Sequence, residues 1–314
     1  MLGGRGITRT RSPVFHQLDL TQFDNVFSAR TSPAEWHRIL AFRNQPTFAA
    51  ALETYNALML QYFADNVVLN RVVTEAWRFE ILVYLLYLHD KRDPADPAKG
   101  LTVSNLQAIC ARQKCASKGR VVAILGIMRI GGFLRQQKSE ADGRIKHLEP
   151  TRKFMSIVEG WNNRILRIID AVYPSEDLAR LHHDNPRLGA QMRSRGAERL
   201  LAGWKLLDPF PEVQHFLSRD GGWMLLLHCV AESLRMGGGR CIAPVAVDLE
   251  AFGKRFAVSR SHLRRLLESA HDEGLLLAPP RNGANIVLSK IAVASYLTCM
   301  ASELSFYREN TVGG

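Results

Sequence analysis

Two stretches of the chain carry the same elements in the same order, about 142–146 residues apart. Each opens on an apolar helix, Trp77 to Leu88 in the first and Trp223 to Leu234 in the second. A loop follows, then a short β-prone piece, a short helix, a tight turn and a longer helix stopped at glycine. Two strands around a polar turn close each stretch. Trp77 falls on Trp223, Leu106 on Leu249, Val121 on Leu263, Leu125 on Leu267 and Gly132 on Gly274. One helix-turn-helix pattern can arise by accident, but two in one order indicate a duplicated unit. The 314 residues suit about two compact domains.

In the first unit two prolines and Gly100 make 89–100 a loop, and Leu101-Thr102-Val103 is β-prone. Ser104 is the expected N-cap of a short helix with Leu106, Ile109 and Cys110 on its apolar face. Arg112 to Ala116 connects it to a helix capped by Ser117, with Val121, Val122, Ile124, Leu125 and Met128 inward and Gly131-Gly132 as its stop. Phe133 to Gln136 and Arg144 to Leu148 are strands around a polar turn, and a helix resumes after Pro150-Thr151 towards Tyr173. In the second unit Asp248 caps a helix bearing Leu249, Phe252 and Phe256. Ala257-Val258 is the turn, and Ser259 caps a helix bearing Leu263, Leu266, Leu267 and Ala270. Leu275 to Leu277 and Ile286 to Leu288 are its strands, and a last helix begins near Ser289. Helix, tight turn, longer helix and hairpin define a winged helix-turn-helix.

Upstream, Thr31 or Ser32 caps a helix through Trp36 and Ile39 to Phe42, and Thr47 caps another bearing Leu52, Tyr55, Leu58, Met59 and Tyr62. Between the units, 175–220 is expected to be helical but interrupted by Pro186, Pro209 and Pro211. The expected fold is mainly α with small β-wings: two tandem winged helix-turn-helix domains joined by a helical layer. The segments are 1–70 (basic arm and N-terminal helices), 71–155 (first winged helix), 156–220 (connector) and 221–314 (second winged helix).

Charge is unevenly spread. The net charge is +11, and residues 71–150 hold 14 basic against 8 acidic groups, whereas 221–314 hold 10 against 8. An excess gathered in one 80-residue segment suits an anionic partner, nucleic acid above all, although a solvated basic surface would look the same. A recognition helix needs small polar caps, where backbone N–H groups face phosphate, and long donors on its outer face. The first unit offers Lys114, Ser117, Lys118 and Arg120 there; the second offers Ser259, Arg260, Ser261, His262, Arg264 and Arg265. The wings add Arg135, Lys138, Asp142, Arg144 and Lys146 in the first unit and Arg281 in the second.

The first wing, Asp142-Gly143-Arg144-Ile145-Lys146-His147-Leu148-Glu149-Pro150-Thr151, resembles that of the MarR family of bacterial transcription regulators. Asp-x-Arg, then Leu four residues on and a Thr opening the next helix, is matched by Asp142, Arg144, Leu148 and Thr151. Leu101 to Leu106 and Gly131 to Leu134 fit as well, so the resemblance spans about residues 50–172. It implies that Arg144 enters the minor groove and that Asp142 orients it, which suits the concentrated negative potential of a narrow groove. Typical members carry one such domain and dimerise. Here the second wing, Pro279 to Gly283, lacks the Asp-x-Arg pattern.

These readings lead to a sequence-specific, double-stranded DNA-binding transcription regulator, acting as a monomeric pseudo-dimer or a homodimer. Plasmid replication initiators also resemble tandem winged helices, and a winged-helix protein-interaction module is the remaining alternative. A small aromatic effector is a further expectation from the resemblance. Trp36, Tyr55, Tyr62, Trp77, Tyr84, Trp161 and Tyr173 are available to line its pocket or simply to fill the core.

Catalytic chemistry is not expected. The sequence has no CxxC, HExxH, P-loop or GxSxG pattern. Cys110 and Cys115 lack a second ligand pair at zinc spacing, and His182-His183-Asp184 reads as a polar helix end. No cofactor or metal is expected. The longest apolar run, Ile81 to Leu88, is far short of the ~18–20 residues of a membrane span. Five scattered cysteines and an N-terminus without an apolar core segment suit a cytoplasmic, nucleoid-associated protein.

Overall fold

The computed structural model describes residues 20–66, 70, 75–93, 95–96, 98–138, 145–238, 241–280 and 285–312. Among them the chain is mainly helical, with two small antiparallel sheets. Three N-terminal helices, α1 (Asp24–Ser28), α2 (Pro33–Arg43) and α3 (Phe48–Phe63), lead to α4 (Ala76–Asp90), α5 (Val103–Arg112) and α6 (Lys118–Ile130). Strands β1 (Leu134–Lys138) and β2 (Lys146–Pro150) follow, then α7 (Arg152–Val172), α8 (Leu178–Asp184), α9 (Pro186–Leu201) and α10 (Pro211–Leu217). The C-terminal stretch holds α11 (Gly222–Met236), β3 (Val245–Ala246), α12 (Leu249–Phe256), α13 (Arg260–Asp272), β4 (Asn285–Ile286) and α14 (Lys290–Val312). No helix among the described residues is long and apolar enough to cross a membrane.

Side-chain caps set half of the described α-helix starts. The side chains of Ser117, Thr151, Asp248 and Ser259 each accept a first-turn backbone N–H, as expected, and of the two candidates Thr31 and Ser32 it is Ser32 that does so. Two expected caps differ: Thr47 precedes α3 but makes no cap bond, its hydroxyl reaching the Val172 carbonyl instead, and the cap of α5 is displaced. Thr102, not Ser104, caps α5: its Oγ1 accepts the Asn105 N–H, so Val103 begins a helix instead of ending a strand. Leu101 keeps a sheet-like role through one bond, its carbonyl accepting the Leu148 N–H at 2.9 Å. Pro186 and Pro211 open α9 and α10 rather than interrupting them, because a first-turn residue needs no backbone N–H donor.

The two stretches share hydrogen bonds as well as order. Phe133 N–H donates to the Met128 carbonyl at 2.8 Å, and 142 residues later Leu275 N–H donates to Ala270 at 2.8 Å. At the interhelical turns, Cys115 N–H reaches Cys110 and Val258 N–H reaches Gly253. Lys114 and Ala257, at φ 55 and 59, hold the left-handed backbone of those turns. Thr151 N–H donates to Phe133 and Ser289 N–H to Leu275, each at 2.9 Å. By that point the offset has dropped to 138 residues, so the second hairpin is shorter by four. Its strands are reduced too. Leu276 and Leu288 meet in a single bridge, and the ladder there joins Val245–Ala246 to Asn285–Ile286, unlike the expected 275–277 and 286–288 pair.

Two hydrophobic cores result. One gathers Ile81, Tyr84 and Leu85 of α4, Leu106 and Cys110 of α5, Val121, Ile124, Leu125 and Met128 of α6, and Phe133, Leu134, Leu148 and Phe154. The other joins α1–α3 to α10–α14 around Tyr55, Phe216, Met224, Leu266 and Tyr296. Helix α7 spans both, with Phe154 in the first and Ile165, Leu166 and Ile169 in the second. Polar ties fasten α2 to its neighbours: Arg43 bonds both Asp24 oxygens at 2.8 Å and Thr298 at 3.2 Å, and Arg38 lies 2.7 Å from Glu309.

Candidate nucleic-acid interface

Helix α13 turns Leu263, Leu266, Leu267 and Ala270 inward and leaves Arg260, Ser261, Arg264 and Arg265 exposed. This division follows from spacing, since residues three and four apart share a helix face. Arg264 pairs with Glu268 one turn along at 2.7 Å, whereas Arg265 has no ion pair among the described residues. At the amino end Ser259 Oγ accepts the His262 N–H and lies 3.2 Å from Ser261 Oγ. The His262 Nε2 is buried without a hydrogen-bond partner among the described residues.

Helix α6 presents a different surface. Ser117, Lys118 and Arg120 are exposed beside Lys114, but Arg120 sits over the Trp77 ring at 5.1 Å. Val122, expected in the apolar stripe, is 52 % exposed. It projects about 100° from Val121 around the axis, outside the row formed by Val121, Ile124, Leu125 and Met128. A Cβ added at Gly119 or Gly126 would meet nothing within 4 Å, so neither glycine is demanded by packing inside the chain. Between α5, α6 and the hairpin lies a cavity of about 220 Å³ lined by Val103, Val122, Leu125, Gly126, Arg129, Gln136, Lys146 and Leu148.

The hairpin stem carries the remaining described candidates. Lys138 and Lys146 are direct partners in the β1–β2 register. Arg135 is held by Glu149 at 2.9 Å, and Arg92 reaches the same carboxylate at 2.6 Å. Partial burial alone would raise the Glu149 carboxyl, but these two guanidiniums outweigh it and hold it below the usual range. Asp142, Arg144 and Arg281 lie outside the described residues. Glu149 and Arg92 belong to the site's electrostatics, although charge alone did not single them out: they lie 57 residues apart in sequence.

Of the aromatic residues expected around an effector pocket, Tyr55, Tyr62 and Trp161 line the large cavity between the two cores. Trp36, Trp77, Tyr84 and Tyr173 do not; Tyr84 is fully buried in the first core. Cys110 and Cys115 are free thiols, and His182 lies 2.9 Å from Glu159. The sequence matches no family model, and neither the curated proteins nor the solved structures include a match to it.

Proposed function

We propose that the chain is a sequence-specific double-stranded DNA-binding regulator built from two tandem winged helix-turn-helix units. The observation that carries this reading is the matched set of caps, turn bonds and hairpin-closing bonds in the two stretches, one ending in the arginine-bearing face of α13. In each unit the second helix, α6 or α13, is the recognition helix, with its amino end aimed at phosphate and its outer face at base edges. On α13, Arg264 and Arg265 supply donors for guanine. On α6, Gly119 and Gly126 sacrifice helix propensity without improving packing, which favours close approach by an outside partner. Lys138 and Lys146, register partners at the base of the first wing, are assigned to the duplex by their charge, and the resemblance to MarR regulators gives Arg144 the minor groove with Asp142 orienting it.

Selection of bound fragments from genomic DNA by the purified protein tests the reading. A bipartite site supports it; an array of direct repeats would instead support the replication-initiator alternative. On the selected duplex, Arg144→Ala is expected to weaken binding about tenfold and to relax preference at one minor-groove position. Gel shifts showing no loss would remove Arg144 from the interface.

The Glu149 carboxylate competes with phosphate for Arg135 and Arg92. Glu149→Gln is therefore expected to tighten DNA binding several-fold and to steepen the salt dependence by about one counterion. Anisotropy titrations at stepped salt read both; an unchanged slope would place Arg135 away from the duplex.

The exposed Val122 and the apolar groove beside it favour a second reading for the first unit alone, as a docking site for an apolar segment of another protein. If so, substituting Lys118 and Lys146 would leave DNA affinity unchanged.

A further inference from the structure

A cavity of about 320 Å³ lies where the two cores meet. Phe79, Leu86 and Leu200 line it from one side, and Trp161, Trp223 and Phe306 from the other. Walls of this kind accept a small organic molecule of about a dozen non-hydrogen atoms. One wall residue does not suit a purely apolar occupant. Glu303 of α14 projects a carboxyl group into this lining with no ion pair or hydrogen bond among the described residues.

The other charged groups of the lining are accounted for. Glu75 pairs with Arg78, Glu80 with Lys205 at 2.7 Å, and Arg193 with both Asp90 and Glu159; Asp208 is exposed. The groups nearest Glu303 are Tyr55, Tyr296, Tyr307 and Cys299, whose protons are held more firmly by burial and by the carboxylate itself. None of them neutralises a negative charge. The Trp161 indole N–H donates to the Tyr307 hydroxyl at 3.4 Å, and both rings line the cavity together with Glu303. Burial pushes the Glu303 carboxyl up to about 7, so near neutrality it exists in both forms. A cation beside it would favour the charged form, and aromatic faces attract cations in the same setting.

We propose that this cavity is a binding site for a small organic cation, an amine or quaternary ammonium on an apolar body, with its charge against the Glu303 carboxylate and its body among Trp161, Trp223 and Phe306. The site does not depend on the DNA-binding reading, and its test needs no DNA.

Phenyltrimethylammonium and its uncharged isostere tert-butylbenzene are suitable probes, followed by tryptophan fluorescence and calorimetry on the full chain at pH 8. The cation is expected to bind at least tenfold more tightly than the isostere. Glu303→Gln should abolish that preference by weakening the cation, with no loss of affinity for tert-butylbenzene. The wild-type protein supplies an independent check, since the probe's charge is fixed: its preference for the cation should shrink between pH 8 and pH 6 as Glu303 takes up a proton. Equal affinities for the two probes, no binding of either, a preference that persists in the Gln variant, or one that ignores pH would each overturn the proposal.

Discussion

Replacing Arg264 and Arg265 together by alanine is expected to lower affinity for the selected DNA about 10²–10³-fold at ~100 mM salt, since a good bidentate contact to a base is worth ~1–3 kcal/mol. The stability of the protein should change little. Both side chains are exposed, and the stripe that seats α13, Leu263, Leu266, Leu267 and Ala270, is untouched. The two residues are not equivalent. Arg264 must leave Glu268 before it can meet a base, although an exposed pair of that kind holds it by well under ~1 kcal/mol. Arg265 has no such partner among the described residues and should carry the larger single effect. Anisotropy titration of each single variant and of the double variant on one duplex measures this. A double variant within threefold of wild type would remove α13 from the DNA interface.

The second large effect concerns stability. Glu303 has its carboxyl raised to about 7 in the folded protein, against ~4.3 for an unperturbed glutamate. A raised carboxyl means that the folded chain holds a proton that the unfolded chain has already released. Folding stability therefore falls as pH climbs from about 4.5 to about 7, and the loss is complete above that range. A shift of this size corresponds to about 3 kcal/mol. Glu303→Gln keeps the shape and removes the ionisation, so the variant should be more stable than wild type at pH 8 by up to about 3 kcal/mol, and nearly equal to it at pH 4.5. Urea denaturation of both proteins across this range provides the comparison. Parallel stability curves would mean that Glu303 is not desolvated.

These expectations differ in how far the sequence foretold them. Caps at Ser32, Ser117, Thr151, Asp248 and Ser259 were legible because a cap is a local device, one side-chain oxygen reaching a backbone N–H two or three residues on. The displaced cap shows where local reading stops. Thr102 and Ser104 are both good caps, and the choice is made by Asn105, whose side chain bonds the carbonyls of Ala98 and Gly100 and fixes the chain's entry to α5. Val122 is misread from sequence because an apolar residue beside an apolar stripe looks like part of it; only the packing of α5 and the hairpin decides which flank is buried.

The interface was legible in its positive groups and not in what restrains them. Arg120 lies over Trp77, which no short-range pattern connects to it, and Arg135 bonds Glu149, its direct partner across a hairpin whose strands, but not their register, were legible. The cavity lay further out of reach. Tyr55, Tyr62 and Trp161 could be named as aromatic candidates, but Glu303 sits on an almost wholly apolar face of α14 and gains its meaning only when α7, α9 and α11 close around it. Its signal, a lone acid among Cys299, Met300 and Leu304, is present in the sequence. A lone acid on a helix is ordinarily solvated, so this signal is recognised only once its surroundings are known.

The central claim is that two recognition units in one chain read two half-sites. The most direct measurement is the affinity of the purified protein for its selected duplex, compared with the same duplex after one half-site is scrambled and after the half-sites are moved apart by about half a helical turn, each at stepped salt. The expected result is a loss of at least a hundredfold from either change, with affinity falling steeply as salt rises. Equal affinity for the intact, scrambled and respaced duplexes would contradict the two-unit account.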